Sequence, residues 1–362
     1  MAQISNTDRS SDDLINDPSD LHVMIVGAGI GGLTAAVACR EKGLKVTVLE
    51  AAEEFTYIRA GLMISSNCTR VLLGMPGMRE RLEKVGAPLK RVRFHDRDGK
   101  QLTEKLYPDS EKEYGSPTWM IHRGDLHECL LARARELDID IKMGRPVEQF
   151  DGHTPSVTLR DGTVMQADVI VCGDGEVGGT HFIVAYPVRQ GEFYNFVSTQ
   201  PAVQTKGDTY VVKIDSSIVK NEFKDWDPRV VKILSRLPKE TLEWKLCDLE
   251  PMDNETLPGG KIVLLGDAAH ACLPSASQGA AMAIEDGGAI AEILSRVTSK
   301  SQVNAAAKAY QTLRMPRTAD VRDSGRRNVA RWKSKDTHEE STNDYVWDYD
   351  VQAEAKQIPI AA

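Results

Sequence analysis

Long hydrophobic runs, paired cysteine motifs and an excess of positive charge are all absent from this chain of 362 residues. No apolar run approaches the ~20 residues that cross a bilayer, so the sequence predicts no association with a membrane. Its six cysteines are scattered without a Cys-x-x-Cys pair or a histidine spacing typical of metal sites, which favours reduced thiols and no metal. A net charge of −8 argues against a nucleic-acid partner, which would require a basic surface. Small molecules are the expected ligands.

The start of the chain lacks the apolar core of a secretory signal and is rich in Ser, Asp and Asn. We therefore predict a disordered leader over residues 1–20 and a cytoplasmic location. With 41% hydrophobic residues, the chain is long enough to bury a sizeable core in one large domain or in two interwoven ones. A monomer or a homodimer is expected.

Glycine, by contrast, is concentrated at two strand-to-helix turns that lie far apart in the sequence. The first turn follows the apolar run at 22–26 and reads Gly27-Ala-Gly29-Ile-Gly-Gly32. In a dinucleotide site the first glycine allows the tight turn, the second lets the backbone approach a pyrophosphate, and the third lets the helix pack closely on the strand. The helix that begins there directs its amide N–H groups and its positive dipole end at the phosphates.

An acidic residue completes this first unit. The run at 44–49 predicts a second strand, which ends at Glu50. A carboxylate at that place can accept both hydroxyls of an adenosine ribose, and it would repel a 2′-phosphate. Glycines in this spacing are weak evidence alone, but strand, turn, helix, strand and terminal acid together predict a dinucleotide site. A glycine-rich turn without a ligand is the alternative.

The second turn follows the run at 261–265 and reads Gly266-Asp267-Ala-Ala-His270, with Pro274 and Gly279 after it. Proline ends the extended segment, the later glycine allows close approach of the backbone, and residues 280–294 strongly favour a helix. An ordinary strand-to-helix connection without a ligand is the alternative.

Two further patterns lie between the turns. Arg123 stands at the start of a predicted amphipathic helix over 123–137, where a cation is poorly placed for the helix dipole. It could bind the phosphates or ribityl hydroxyls of a flavin, or it could be a solvated surface arginine. Residues 156–172 predict a hairpin with its turn at 160–163, whose second strand, 167–172, ends at a turn containing Asp174 and Gly175.

Together these motifs resemble those of the class A flavoprotein aromatic hydroxylases, and most of all the salicylate-hydroxylase-like monooxygenases. The resemblance covers roughly residues 22–335 and continues beyond the second turn through Glu285-Asp286 to Arg314 and Arg317. The two glycine turns are its most specific parts.

The resemblance implies an α/β fold in which a Rossmann-like FAD-binding domain of the GR2 type carries an inserted β-sheet substrate domain. Similarity would place Asp267 on the ribityl hydroxyls, and the segment from Pro274 to Gly279 beside the isoalloxazine. The residues that it implies for binding FAD are Gly27, Gly29, Gly32, Glu50, Arg123, Asp174, Gly266, Asp267, Pro274 and Gly279.

The activity that the resemblance implies is that of an FAD-dependent monooxygenase. NADH or NADPH would reduce FAD, O2 would add to form a flavin hydroperoxide, and a small aromatic or phenolic compound would be hydroxylated. No catalytic base is evident: His122, His181 and His270 lie near the motifs, but such histidines more often pack or form structural hydrogen bonds, so none is assigned. Another flavin reaction, such as dehydrogenation, epoxidation or halogenation, is a further alternative.

One departure from the family concerns the substrate domain. After the turn at 174–175 the family has a short helix and several tens of residues of substrate sheet, whereas here residues 176–180 lead directly to a later strand. The sequence therefore predicts a shortened substrate domain, which would admit water to the flavin and leave sheet edges unpaired. A catalytically impaired or truncated FAD-binding protein is the alternative function.

Domain boundaries follow from these assignments. The predicted FAD-binding domain is discontinuous and comprises residues 21–75, 115–180 and 255–335, and the substrate domain comprises 76–114 and 181–254. Residues 336–362 are predicted to form a C-terminal tail, extended on the surface or on a second subunit.

Overall fold

A computed structural model describes residues 13–55, 60–107, 109–172, 183–199, 211–244, 249, 252–256, 258–334 and 344–360. The strands within these ranges are β1 (His22–Val26), β2 (Lys45–Leu49), β3 (Gly61–Ile64), β4 (Ala87–Pro88), β5 (Arg91–His95), β6 (Gln101–Leu106), β7 (Trp119–His122), β8 (Asp140–Lys142), β9 (Val147–Asp151), β10 (Ser156–Leu159), β11 (Val164–Gln166), β12 (Val169–Cys172), β13 (Ile183–Val188), β14 (Phe193–Ser198), β15 (Val211–Asp215), β16 (Glu240–Trp244) and β17 (Ile262–Leu264).

The helices within the same ranges are α1 (Ile30–Glu41), α2 (Ser66–Leu73), α3 (Met78–Val85), α4 (Ser110–Tyr114), α5 (Arg123–Glu136), α6 (Ser216–Glu222), α7 (Pro228–Leu234), α8 (Asp267–His270), α9 (Gly279–Leu294), α10 (Val303–Ser334), α11 (Asp344–Trp347) and α12 (Val351–Gln357). The helices predicted at 123–137 and 280–294 are confirmed as α5 and α9.

A parallel five-stranded sheet in the order β17-β12-β1-β2-β8 forms the centre of the molecule. Strand β12 is buried throughout, and β1 is buried over Val23–Ile25, as expected for strands covered on both faces. Parallel strands place their carboxyl ends at one edge, which is where open α/β sheets bind ligands. The predicted Rossmann-like α/β class is confirmed.

Helices α1 and α9 pack against each other with almost no space between their backbones. A Cβ atom on Gly287 of α9 would lie 2.7 Å from the backbone nitrogen of Ala35 in α1. A Cβ on Gly31 would lie 3.0 Å from the Cβ of Ala283. Small residues on both helices therefore bring the second half of the chain onto the first βαβ unit.

Outside the central sheet, the described strands form small sheets. Two have three strands, β11-β10-β9 and β3-β7-β4, and three are two-stranded ribbons, β5-β6, β13-β14 and β15-β16. The ribbons lie in the segments predicted for the substrate domain and expose large apolar side chains, among them Leu106 (63%), Phe193 (56%), Tyr194 (71%) and Trp244 (40%). The boundaries of that domain stay a prediction.

The hairpin predicted over 156–172 is shorter than expected. Strand β10 pairs antiparallel with β11, whereas β12 runs between β1 and β17 in the central sheet. The prediction that 167–172 is the second hairpin strand was therefore wrong. An unbroken apolar run suits a strand covered on both faces better than one in a partly exposed hairpin.

Residues 13–20 of the predicted leader are attached to the rest of the molecule. The Ile15 N–H donates to the carbonyl of Thr298 (3.0 Å), and the Ser299 hydroxyl donates to Asp13 (2.6 Å). The disordered leader is therefore wrong for residues 13–20, while residues 1–12 lie outside the described part.

The C-terminal tail is folded over residues 344–360, where α11 and α12 pack into the main core. Trp347 is 1% exposed, with its ring 5.2 Å from that of Tyr107 and 5.6 Å from that of Tyr114. Burial of so large an aromatic surface is strongly favourable, which explains why this segment docks as helices. The expectation of an extended segment was wrong for these residues.

Three of the cysteines that the structure describes, Cys39, Cys68 and Cys129, are free thiols. Burial raises the pKa of the Cys39 thiol to about 12, so it remains protonated and unreactive. The predicted reduced state fits these three. Among the described helices, none combines the length and the apolar character needed to cross a bilayer.

Candidate functional site

The first glycine turn has the geometry that its sequence predicts. Gly27 takes φ 97°, which favours glycine, and its N–H donates to the carbonyl of Leu49 (2.8 Å). A Cβ atom on Gly32 would lie 2.0 Å from the carbonyl oxygen of Gly27, an impossible contact. The absence of a side chain at Gly32 therefore allows α1 to start directly at the turn.

Gly29 has open space beside it. It is the N-cap of α1, and a Cβ atom on it would have no neighbour within 4 Å. A glycine that no protein neighbour requires, at the start of a helix of 12 residues, suits the close approach of an anionic group. The structure thus fits the predicted role of Gly29 beside a pyrophosphate.

Glu50 lies at the end of β2, beside the same turn. Its Oε2 accepts the Ala28 N–H (2.8 Å), and its Oε1 accepts the Ala52 N–H (2.9 Å). A carboxylate has about four lone-pair sites, so both oxygens retain the capacity to accept a ribose hydroxyl. The two backbone bonds fix the orientation of the carboxylate.

Arg123 connects the two halves of the candidate site. It begins α5, and its backbone N–H donates to the carbonyl of Ala60 (2.7 Å). Burial lowers the pKa of its guanidinium, and the carboxylate of Asp267 opposes that shift. A half-buried arginine with an acid of the second turn nearby is not the solvated surface residue of the alternative interpretation.

The second turn lies at the same sheet edge as the first. The chain leaves β17 with the Leu265 N–H donating to the carbonyl of Cys172 (2.8 Å), and then turns at Gly266 with φ 59°. Asp267 begins α8 and is exposed, and partial desolvation by neighbouring protein raises the pKa of its carboxyl. A Cβ atom on Gly279 would lie 4.0 Å from Asp267 Oδ1, so this acid lies beside the start of α9.

Pro274 lies between α8 and α9. It begins a short 3-10 helix, Pro274–Ala276, and Ser277 follows with φ 53°. The N-terminus of α9 is thereby brought to the same place as the acid that begins α8.

A buried ion network lies beneath the second turn. Asp286 Oδ2 accepts the Gly266 N–H (2.8 Å) and pairs with His270 Nε2 (2.6 Å), while its Oδ1 accepts from Arg314 Nε (2.7 Å). Burial alone would raise the pKa of Asp286, but His270 and Arg314 hold it well below its usual range. Burial alone would lower the pKa of His270, but Asp286 raises it. His270 is therefore held in a buried structural contact with Asp286.

The same network reaches the start of α9. Glu285 accepts from Arg314 Nη1 (2.6 Å), Arg317 Nη2 (2.9 Å) and Asn67 Nδ2 (2.6 Å). Asn67 Nδ2 also approaches Gln278 Oε1 (3.2 Å), and Gln278 is the N-cap of α9. The residues before Gly279 are thus held in place from below by α2 and α10.

Glu255 is a second buried acid next to this network. It is 3% exposed, and burial, reinforced by the nearby Asp286 carboxylate, raises its pKa to about 7. Its Oε2 has no hydrogen-bond partner among the described residues. A buried carboxyl in that setting favours its protonated form.

The structure therefore gathers most of the predicted site residues at the carboxyl edge of the central sheet. Gly27, Gly29 and Glu50 follow β1 and β2, and Gly266 and Asp267 follow β17. Asp174 and the turn that contains it lie outside the described residues, as does His181. The role of each residue in binding FAD stays a prediction.

Sequence reasoning did not find two contributors, His127 and Asn67. His127 Nε2 hydrogen-bonds the carbonyl of Ala28 (2.7 Å), which belongs to the first turn. Its only signal in the sequence is a position four residues after Arg123, on the same face of a helix. Asn67 has no local pattern, because its contacts join distant segments. His122, which was not assigned, has its Nδ1 3.7 Å from Asp125.

Comparison with protein families finds a match to the FAD binding domain over residues 20–198 and 231–324, which is more than half of the chain.

Two curated relatives illustrate the similarity. The FAD-dependent monooxygenase atnJ of Arthrinium sp is 28% identical over 353 residues, covering 83% of this chain and 82% of the relative. The 3-hydroxybenzoate 6-hydroxylase of Polaromonas naphthalenivorans is 29% identical over 357 residues, covering 84% of this chain and 86% of the relative. The first alignment has 353 positions but includes only 83% of the 362 residues of this chain. The relative therefore has residues without a counterpart here.

A solved structure shows the same fold. A salicylate hydroxylase in complex with its substrate superposes with a TM-score of 0.75 at 19% identity, covering 94% of this chain and 98% of that one.

Proposed function

Because this chain belongs to the FAD binding domain family, we propose that it is an FAD-dependent monooxygenase that uses NADH or NADPH and O2 to hydroxylate a small aromatic or phenolic compound. Membership in that family agrees with the resemblance drawn from the two glycine turns. The observation that carries the proposal is the meeting of both turns at one sheet edge, where Arg123 and Asp267 interact across the two halves.

The residues at this edge fit FAD. Gly29 and the amide end of α1 would hold the pyrophosphate, and Glu50 would accept the ribose hydroxyls of the adenosine. Asp267 would accept the ribityl hydroxyls, with Arg123 beside it. When bound, FAD supplies the capacity to take electrons from a nicotinamide and to activate O2.

The protein's own contribution is electrostatic and positional. The start of α9 directs backbone N–H groups and a positive dipole end towards the segment from Pro274 to Gly279, which favours negative charge there. The ion pair between Asp286 and Arg314 fixes the backbone at Gly266 from below. The edge is thus preorganised, so it requires little rearrangement when charge develops on a ligand.

The substrate class rests on the relatives. One of them is named for hydroxylation of 3-hydroxybenzoate, which supports a phenolic acid or a similar ring as the substrate of this chain. A cytoplasmic location and a monomeric or homodimeric state belong to the same proposal.

One observation favours a second candidate, a catalytically impaired FAD-binding protein of the same family. The segments predicted for the substrate domain form two-stranded ribbons with exposed apolar side chains, and the alignment shows residues in a relative that this chain lacks. A reduced substrate domain would admit water beside the flavin, which encourages loss of activated oxygen without hydroxylation.

A spectrum of the purified protein followed by turnover assays separates these functions. We expect bound flavin absorbance, and oxidation of NADH or NADPH that phenolic acids stimulate and that yields a hydroxylated product. Oxidation that yields only hydrogen peroxide would favour the impaired protein. A colourless protein that FAD cannot reconstitute would contradict both.

A further inference from the structure

The peptide between Ala28 and Gly29 is fixed by a side chain whose role in the site has not been assigned. The Ala28 N–H donates to Glu50 Oε2 (2.8 Å), and the Ala28 carbonyl accepts a hydrogen bond from His127 Nε2 (2.7 Å). His127 is itself half-buried, and its ring meets the ring of Phe55 edge-on at 5.1 Å. Ala28 is therefore held at both of its polar backbone atoms by two different elements, the end of β2 and α5.

The planarity of the peptide bond transfers this constraint to the next residue. In a trans peptide the C=O of one residue and the N–H of the next point in opposite directions. A hydrogen bond that fixes the Ala28 carbonyl towards His127 on α5 also fixes the Gly29 N–H to point away from α5. That N–H belongs to the open start of α1, where a Cβ atom on Gly29 would meet nothing within 4 Å.

We propose that His127 is a positioning residue that orients the Gly29 amide towards the pyrophosphate of FAD. Its Nε2–H acts through the Ala28–Gly29 peptide, and the ring itself makes no contact with the ligand. The inference rests on the proposed function, since it requires the pyrophosphate to bind at the start of α1. Arg123, one turn earlier on the same face of α5, supplies the positive charge in this region.

The protonation state of His127 agrees with an orienting role. Burial lowers the pKa of His127, and the positive charge of Arg123 lowers it further. The hydrogen bond to Ala28 and the carboxylates of Glu50 and Glu128 act in the opposite direction, but the net shift is downward. The imidazole is therefore neutral at neutral pH, with its proton on Nε2, where the carbonyl requires a donor. Because the neutral ring carries no charge, its effect on an anion comes from the direction of the backbone.

Two substitutions isolate the donor. His127→Phe keeps a ring against Phe55 but removes the N–H, whereas His127→Gln places an amide N–H close to the position of Nε2. His153→Phe, at an exposed histidine in another turn, is the matched control. Each variant is titrated with FAD and with ADP, which shares the pyrophosphate, and its unfolding in urea is measured without ligand.

We expect His127→Phe to weaken both FAD and ADP about tenfold, which corresponds to about 1.4 kcal/mol, and His127→Gln to restore most of that loss. The 31P resonances of bound FAD should shift in His127→Phe and return in His127→Gln, which a purely structural role does not predict. Unchanged affinity in His127→Phe with normal FAD binding by the wild type would overturn this proposal alone, as would equal losses in the two variants. Failure of the wild type to bind FAD would overturn the proposed function together with it.

Discussion

The central parallel sheet and the two-stranded ribbons differ in how extensively their side chains are buried and packed. The sheet has buried apolar strands, closely packed helices and a buried ion network that ties α9 and α10 to its carboxyl edge. Among the described residues each ribbon pairs two strands, and the ribbons expose aromatic side chains such as Tyr194 and Trp244. The part predicted to hold FAD thus lies on the large main core, whereas the part predicted to hold substrate has a small apolar core of its own.

This difference indicates that binding of the cofactor and hydroxylation of the substrate depend on different parts of the chain. The candidate cofactor site is assembled from segments at both ends of the sequence, so its geometry requires the complete central fold. Ribbon β13-β14 borders that site, since the Gly61 N–H donates to Asn195 Oδ1 (2.8 Å) and Arg189 pairs with Asp125 of α5. None of the residues predicted to bind FAD lies on a ribbon, so the loss of residues there is compatible with an intact cofactor site. We therefore expect the stability and the FAD affinity of the protein to be set by the central sheet, and its coupling of oxidation to hydroxylation to be set by the ribbons.

The largest effect is expected from Asp286→Asn, which removes the carboxylate that pairs with His270 and one of the two carboxylates that pair with the buried Arg314. Removing one partner of a buried ion pair costs about 3–5 kcal/mol, so the free energy of unfolding should fall by that amount in urea titrations. The control Asp225→Asn, at an exposed acid near the ribbons, should change it by less than about 0.5 kcal/mol. Equal effects would remove the distinction between the two regions.

Glu255 predicts a dependence of stability on pH. Its pKa is about 7 in the folded protein and near 4.5 when unfolded, so the folded state binds the proton more tightly. The stability that protonated Glu255 contributes to the folded state is therefore complete below pH 4.5 and is lost as the pH rises to about 7. Glu255→Gln mimics the protonated form, so it should match the wild type at pH 5 and exceed it by about 2–3 kcal/mol at pH 8. Parallel pH profiles for the two proteins would show that the carboxyl titrates normally.

Gly32→Ala and Gly29→Ala test the tightness of the first turn. The first substitution places a Cβ 2.0 Å from the Gly27 carbonyl, and overpacking of this kind costs about 1–3 kcal/mol or more. The second meets no protein atom, so thermal unfolding should be nearly unchanged while FAD affinity falls. A Gly29→Ala protein with wild-type affinity would place the pyrophosphate elsewhere.

The smallest effect is expected on a ribbon. Leu106 on β6 is 63% exposed, so Leu106→Ala should alter the free energy of unfolding by less than about 0.5 kcal/mol. Leu33→Ala on α1, at a residue with 0% exposure, should cost about 2–5 kcal/mol. A large loss from Leu106→Ala in chemical denaturation would mean that another surface covers this ribbon in solution.

The two glycine turns could be predicted from the sequence because their constraints are local. A steric limit at Gly27 or Gly32 arises within a few residues of the chain, so spacing alone reveals it. The error at β12 has the opposite origin: a clear turn signal at 160–163 was joined to the next apolar run, although that run pairs with β1 and β17 far away in the sequence.

The buried contacts could not be predicted in the same way. The pairing of Asp286 with Arg314 and the hydrogen bond from His127 to Ala28 depend on which elements pack against each other. No periodic pattern in the sequence encodes that packing. Trp347 stands among acidic residues without helical periodicity, and only its burial between Tyr107 and Tyr114 shows that the segment docks.

Titration of FAD into the wild type and into Glu50→Ala, Arg123→Ala and Asp267→Ala tests most directly whether the two turns form one cofactor site. We expect one FAD bound per chain in the wild type. Each substitution should weaken binding, because one residue follows β2, one begins α5 and one follows β17. Wild-type affinity in all three variants would contradict the account.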